Sequence, residues 1–207
     1  HFAVAAGHGL PLRHLVEDFV TRAAEEVAVH ELHEGLAAFE GDAAPRFLRD
    51  APRQLRTADV WKMFACELAT ALRGLEEDEW LVLSHKTRNR YVQFMNQGGA
   101  GWRAEAVSDF HLEDGDRLSD DDHAALLALV CSAPTRLPDE FGHHPDGSPN
   151  YFVDLANPVP LEELAAMAVS TLARAHRAQH PNDLEYATGG RGNVAIRFPN
   201  LGIRRAR

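Results

Sequence analysis

Arg90-Tyr-Val-Gln-Phe-Met-Asn96 is the stretch on which the fold turns. Val92 and Phe94 fall on one side of an extended chain, and Tyr91, Gln93 and Met95 on the other, the period of two that marks a half-buried strand. Upstream, Trp80-Leu-Val-Leu83 is a short apolar run, separated from it by the polar turn Lys86-Thr-Arg-Asn89. The pair therefore predicts a hairpin. Downstream, Gly98, Gly99 and Gly101 break the chain, and Trp102-Arg-Ala-Glu-Ala-Val-Ser108 alternates again. Three adjacent strands with short breaks predict an antiparallel meander.

On either side the period changes to that of a helix. Val60, Trp61, Phe64, Ala65, Leu68, Ala69 and Leu72 define an apolar face, with Thr57 as the expected N-cap. Before it, Pro45 and Pro52 predict a connector over 41–57, with one short helical turn around Phe47. Leu12, Leu15, Val16, Phe19, Val20, Ala23, Val27, Leu32, Leu36 and Phe39 predict a long amphipathic helix over 11–39. Ser119-Asp-Asp-Asp122 opens a further helix, its carboxylates suited to the positive end of the dipole. Ala124, Leu126, Leu127, Leu129 and Val130 are its expected buried residues. A strand follows at Tyr151–Leu155. Pro160 then leads into a last helix packed by Leu161, Leu164, Ala165, Ala168, Leu172 and Ala175. Leu184–Tyr186 and Val194–Phe198 are two candidate strands around a glycine-rich turn. Strands run together and flanked by helices predict an α+β domain with a small antiparallel sheet, preceded by a long N-terminal helix. The division is an N-terminal helical arm and linker, 1–57, and an α+β domain, 58–207.

The 207 residues carry 21 Lys and Arg against 31 Asp and Glu, a formal net charge of −10. That balance repels a phosphate backbone and argues against nucleic acid as the main partner; Arg204, Arg205 and Arg207 read as a solvated tail. No apolar run reaches the ~20 residues of a membrane span. His1–Leu12 has neither the basic start nor the continuous apolar stretch of a signal peptide, so a cytoplasmic location is the default expectation. Without an initiator Met, the sequence is expected to begin inside a longer product. Cys66 and Cys131 each sit in an apolar helical pattern and are expected to be buried free thiols.

Twelve histidines raise a metal hypothesis. His30 and His33, with Glu34, do not have the His-Glu-x-x-His spacing of a metalloprotease and read as a polar helix face. His143, His144 and Asp146 read as a surface loop. His176 and His180 stand at i, i+4, a spacing that binds metals but also complements a helix C-terminus. Nucleophilic catalysis has no signature, since there is no Gly-x-Ser-x-Gly elbow and no cysteine beside a histidine in a polar motif. Gly189-Gly-Arg-Gly192 lacks the Lys-Ser/Thr of a phosphate loop. Neither a cofactor nor a metal is expected.

Several blocks together resemble the TY-Chap domains of actinobacteria, relatives of type III secretion chaperones and YbjN proteins. They are Trp61-Lys-Met-Phe-Ala65, Asn89-Arg-Tyr-Val-Gln-Phe94 and Arg103-Ala-Glu-Ala-Val-Ser108, then Gly147-Ser-Pro-Asn-Tyr-Phe152, Leu164-Ala-Ala-Met-Ala168, Asp183-Leu-Glu-Tyr186 and Leu201-Gly-Ile203. The resemblance spans about 58–203. It implies a secretion-chaperone-like, YbjN-like α+β fold without catalytic residues, which binds proteins or peptides and tends to dimerise.

Arg88, Arg90, Tyr91, Gln93 and Arg103 lie on or beside the hairpin and are the candidate partner-binding residues, because Tyr and Arg anchor protein interfaces. The same residues also fit an ordinary polar sheet face with Arg–Glu105 cross-strand pairing. The leading expectation is a non-enzymatic chaperone-like or adaptor domain for a protein or peptide client, acting as a homodimer. The alternatives are a His-rich metal-dependent enzyme, with ligands converging from 30–33, 143–146 and 176–180, and an immunity or regulatory partner in a conflict system.

Overall fold

The computed structural model describes residues 46–129, 132–135, 147–191 and 196–206, with side chains from residue 58 onward. The helix expected over 11–39, Cys131 and the His143–Asp146 loop lie outside these residues. Val60–Arg207 forms one compact unit. The elements in chain order are α1 (Arg46–Arg73), β1 (Trp80–His85), β2 (Tyr91–Asn96), β3 (Trp102–Ala106), α2 (Asp120–Ala128), β4 (Tyr151–Leu155), α3 (Leu161–Ser170), β5 (Leu184–Gly189) and β6 (Arg204–Arg205). The strands form one sheet in the order β4-β3-β2-β1-β5-β6.

The expected meander is present. β1 pairs antiparallel with β2, with Leu81 opposite Phe94 and Leu83 opposite Val92. β2 pairs antiparallel with β3, with Phe94 opposite Ala104. β4 closes one side against β3 and β5 pairs with β1, both antiparallel. β6 departs from the expected antiparallel sheet. It runs parallel to β5, with Glu185 opposite Arg204, and makes the sheet mixed. Arg204 and Arg205 are thus an edge strand rather than a loose tail, although both side chains are exposed. Residues 196–198 are not a strand. They are tied to β5 from outside the ladder, by Thr188 Oγ1 donating to the Ile196 carbonyl at 2.7 Å and Phe198 N donating to Tyr186 Oη at 3.1 Å.

One face of the sheet is apolar and buried: Leu81, Leu83, Val92, Phe94, Ala104, Ala106, Tyr151, Leu184 and Tyr186. The helices add Trp61, Phe64, Leu68 and Leu72 from α1, Leu126 from α2, and Leu164, Ala165, Ala168 and Leu172 from α3 and its continuation. Each fully buried leucine contributes about 1.5–3 kcal/mol relative to an exposed one. Two features of α1 differ from expectation. It is already helical at Arg46, the first described residue, rather than starting near Thr57, and Pro52 lies within it. A proline there removes one N–H but need not end a helix whose neighbours (Arg, Gln, Leu, Ala) are good helix formers. Cys66 is exposed because it lies off the Trp61–Phe64–Leu68 stripe. In α2, Leu126 and Leu129 are buried while Ala124 and Leu127 are exposed.

The turn between β2 and β3 requires glycine at 101. Its φ is 101°, and a Cβ there would stand 2.0 Å from the Leu155 carbonyl oxygen. β4 can therefore approach the turn only over a bare backbone.

Candidate functional site

The period of two that buries Val92 and Phe94 turns the intervening side chains to the opposite face of the sheet. Register places them in rows across the strands. One row runs Ala187, Val82, Gln93, Glu105, Phe152; the next runs Gly189, Trp80, Met95, Arg103, Asp154. Tyr91 sits opposite Ser84 in a third. Nearly all of these residues remain partly exposed, unlike the opposite face. Met95 is 38% exposed. Trp80 lies over Gly189, where a Cβ would come within 2.4 Å of the indole. The result is a broad face carrying Trp80, Val82, Met95, Phe152 and Tyr91 among a few polar groups.

Those polar groups are mostly paired within the face. Arg103 holds Asp154 with two bonds, Nε to Oδ1 and Nη2 to Oδ2, each 2.7 Å. Its Nη1 donates to the Gly147 carbonyl at 3.3 Å, and its guanidinium stands 5.4 Å from the centre of the Phe152 ring. Both partners of the ion pair are partly exposed, so its contribution is at most about 1 kcal/mol, and its main effect is to hold Arg103 over the ring. Arg103 pairs with Asp154 rather than with Glu105. Glu105 instead accepts from Gln93 Nε2, and from Asn150 Nδ2 at 3.1 Å, both on Oε2.

Asn150 Nδ2 also donates to Tyr91 Oη at 3.3 Å. Burial raises the Tyr91 pKa above its ordinary value; the bond from Asn150 opposes this and the Glu105 charge adds to it. Asn150 is fixed in turn by the Gly147-Ser-Pro-Asn150 loop. Ser108 N donates to Asn150 Oδ1 at 3.3 Å, Ser108 Oγ to the Pro149 carbonyl at 2.6 Å, and Asn150 N to Ser148 Oγ at 3.0 Å. Asn150 was not among the expected site residues. Its signal was its place in the Gly147–Phe152 block directly before a strand.

The five candidates separate. Tyr91, Gln93 and Arg103 share the partly exposed face, and Arg88 lies exposed in the β1–β2 turn. Arg90 belongs to the interior, with 6% of its surface exposed. Its Nη1 donates to the Ala175 carbonyl at 2.7 Å and to Asp122 Oδ2 at 3.3 Å. Its Nη2 donates to the carbonyls of Arg117 at 2.9 Å and Asp116 at 3.1 Å, and its Nε to the latter at 3.3 Å. The planar fork is well matched to this divergent set of acceptors. Burial leaves the guanidinium no surface to offer a partner.

Around Arg90 the sequence supplies its own acceptors. Ser119 caps α2 in a capping box with Asp122. Asp122 then accepts from Arg177 Nε at 2.9 Å. The pKa of Asp122 is lowered: burial opposes this, and bonds from Ser119 and Arg177 outweigh it. The Ala175 carbonyl is available because α3 ends in a π turn, Thr171–Ala175, closed by His176 N donating to the Thr171 carbonyl at 2.9 Å. A cation at that helix end also favours the dipole.

His176 is completely buried, and neither ring nitrogen has a hydrogen-bond partner. His180 caps the short turn after it, its Nδ1 accepting from Asn182 N at 3.0 Å. The i, i+4 pair is thus divided between core and cap. Among the described residues no three His, Cys, Asp or Glu side chains gather in a way that would hold a metal ion. His123 joins Tyr151 Oη, 2.7 Å from Nδ1, to Asp109 Oδ2, 3.1 Å from Nε2, and links α2 to β4. No described helix is long and apolar enough to cross a membrane.

A family model, TY-Chap3, described as T3SS (YopN, CesT) and YbjN peptide-binding chaperone 3, matches residues 54–190, from α1 through β5. No curated protein and no solved structure matches the chain.

Proposed function

The chain belongs to the TY-Chap3 family of peptide-binding chaperones, and on that premise we propose that it holds an extended polypeptide client against the outer face of its sheet. The observation that carries the reading is that face: Trp80, Val82, Met95 and Phe152 lie there partly exposed beside Tyr91 and Arg103. Aromatic and arginine side chains on a rigid support are the usual anchors of a polypeptide interface. The sheet keeps them in place without a client, which limits the ordering cost of binding. Binding and release, without a chemical step, is the role we assign. On the same family footing we read the chain as a cytoplasmic homodimer. Its net charge of −10 speaks against a nucleic-acid partner.

A random-sequence peptide display library tests the reading. Wild-type protein is expected to enrich a set of peptides. Val82→Asn, which puts an uncharged polar group amid the apolar side chains, is expected to weaken the same peptides about 10-fold, with little loss of stability because Val82 is partly exposed. No enrichment, or undiminished affinity in a well-folded Val82→Asn protein, would overturn the assignment.

A further inference from the structure

Three carboxylates stand on the outer face of the sheet: Glu105, Asp154 and Glu185. Two have arginine partners. Asp154 is held by Arg103, and Glu185 accepts from Arg204 Nη2 at 2.8 Å. Among the described residues, Glu105, on β3 between Gln93 and Phe152, has only the amides of Gln93 and Asn150. Both donate to Oε2, and no described residue donates to Oε1. The nearest cation along its own strand, Arg103, is taken up by Asp154. The carboxylate is held in one orientation by two neutral amides, has no ion pair among the described residues, and lies beside Phe152 and Tyr91, with Val82 one strand beyond Gln93.

We infer that Glu105 is a specificity point for a cationic side chain, so that clients preferred by this protein present a Lys or Arg among apolar residues. The inference rests on the proposed use of the outer face and says which peptides it selects. An extended peptide places alternate side chains toward the sheet. One of them, a lysine or arginine, reaches Oε1 while its apolar neighbours meet Val82 and Phe152. The cation supplies the charge-assisted bond that the amides cannot. Gln93 and Asn150 act as positioning residues: they fix the carboxylate and leave one oxygen for the client.

The test uses the library-selected peptides, which are expected to be enriched in Lys or Arg. Each is then resynthesised with that residue changed to Gln, and both forms are titrated against wild type, Glu105→Gln and Glu113→Gln. Glu113 is an exposed carboxylate whose replacement makes the same change in net charge. Wild type and Glu113→Gln are expected to prefer the cationic peptide roughly three- to tenfold, and Glu105→Gln to lose that preference. Selected peptides without basic residues, or equal discrimination by Glu105→Gln and wild type, would overturn the inference while leaving the outer face as the binding surface. Peptides whose binding ignores Val82→Asn would overturn the reading of the face, and this inference with it.

Discussion

Acid should destabilise this protein in part through one buried histidine. His176 is completely buried, and its pKa is lowered from 6.5 to about 3, first by burial and then by the Arg90 charge, with Asp122 opposing. The fold therefore holds the neutral ring, whereas the unfolded chain takes up a proton near pH 6.5. Between those two values the unfolded state binds more protons, so stability falls as pH falls. The contribution is fully present above about pH 6.5 and declines toward pH 3 at up to ~1.4 kcal/mol per unit. Moving from about pH 7.5 to about pH 5 should cost roughly 2 kcal/mol from this residue alone. His176→Leu removes the titration. It also removes two ring nitrogens that lack partners, so at neutral pH the variant should be as stable as wild type or more so. Urea denaturation of both proteins across this range measures the effect. Carboxylates such as Asp122 titrate in both proteins and drop out of the difference, which should shift by roughly 2 kcal/mol in favour of the variant. A stability difference that stays constant with pH would refute the reasoning.

Arg90→Met should be among the most damaging changes in the domain, at about 3–5 kcal/mol. For a unit of this size that lowers Tm by roughly 6–20 °C; a loss under ~1 kcal/mol by calorimetry would show that its five donated bonds matter little. Gly101→Ala should destabilise by more than ~1 kcal/mol, because its Cβ meets the Leu155 carbonyl in a backbone with φ of 101°. Unchanged denaturation of that variant would mean β4 is free to move away.

Much of this was legible in the sequence, and the failures have physical causes. The stripe Trp61–Leu72 predicted a buried helix face because it alternates with polar residues at helical spacing, and Leu164–Ala175 predicted burial as a nearly continuous apolar run. The alternation from Tyr91 to Met95 predicted both sheet faces. Arg90 was misassigned because its residue type suggests a surface, although its position in phase with Val92 and Phe94 points inward. Its acceptors come from Asp116, Arg117, Asp122 and Ala175, which no local pattern brings together. In α2 the run Ala124–Leu129 is apolar all round, so no period selects Leu126 and Leu129 over Leu127. β6 is two exposed arginines with no alternation to mark it. Glu105 looked like a cross-strand partner of an arginine. Only the register shows that Asp154 takes Arg103 and leaves Glu105 to two amides.

Photo-crosslinking tests the central claim most directly. A benzophenone amino acid is placed at Met95, on the outer face, and separately at the exposed Glu113 as a control. Each protein is irradiated with the library-selected peptides. Covalent capture from position 95 and not from position 113 is the predicted result. Capture from position 113 with none from position 95 would contradict the assignment of the outer sheet face as the place where clients are held.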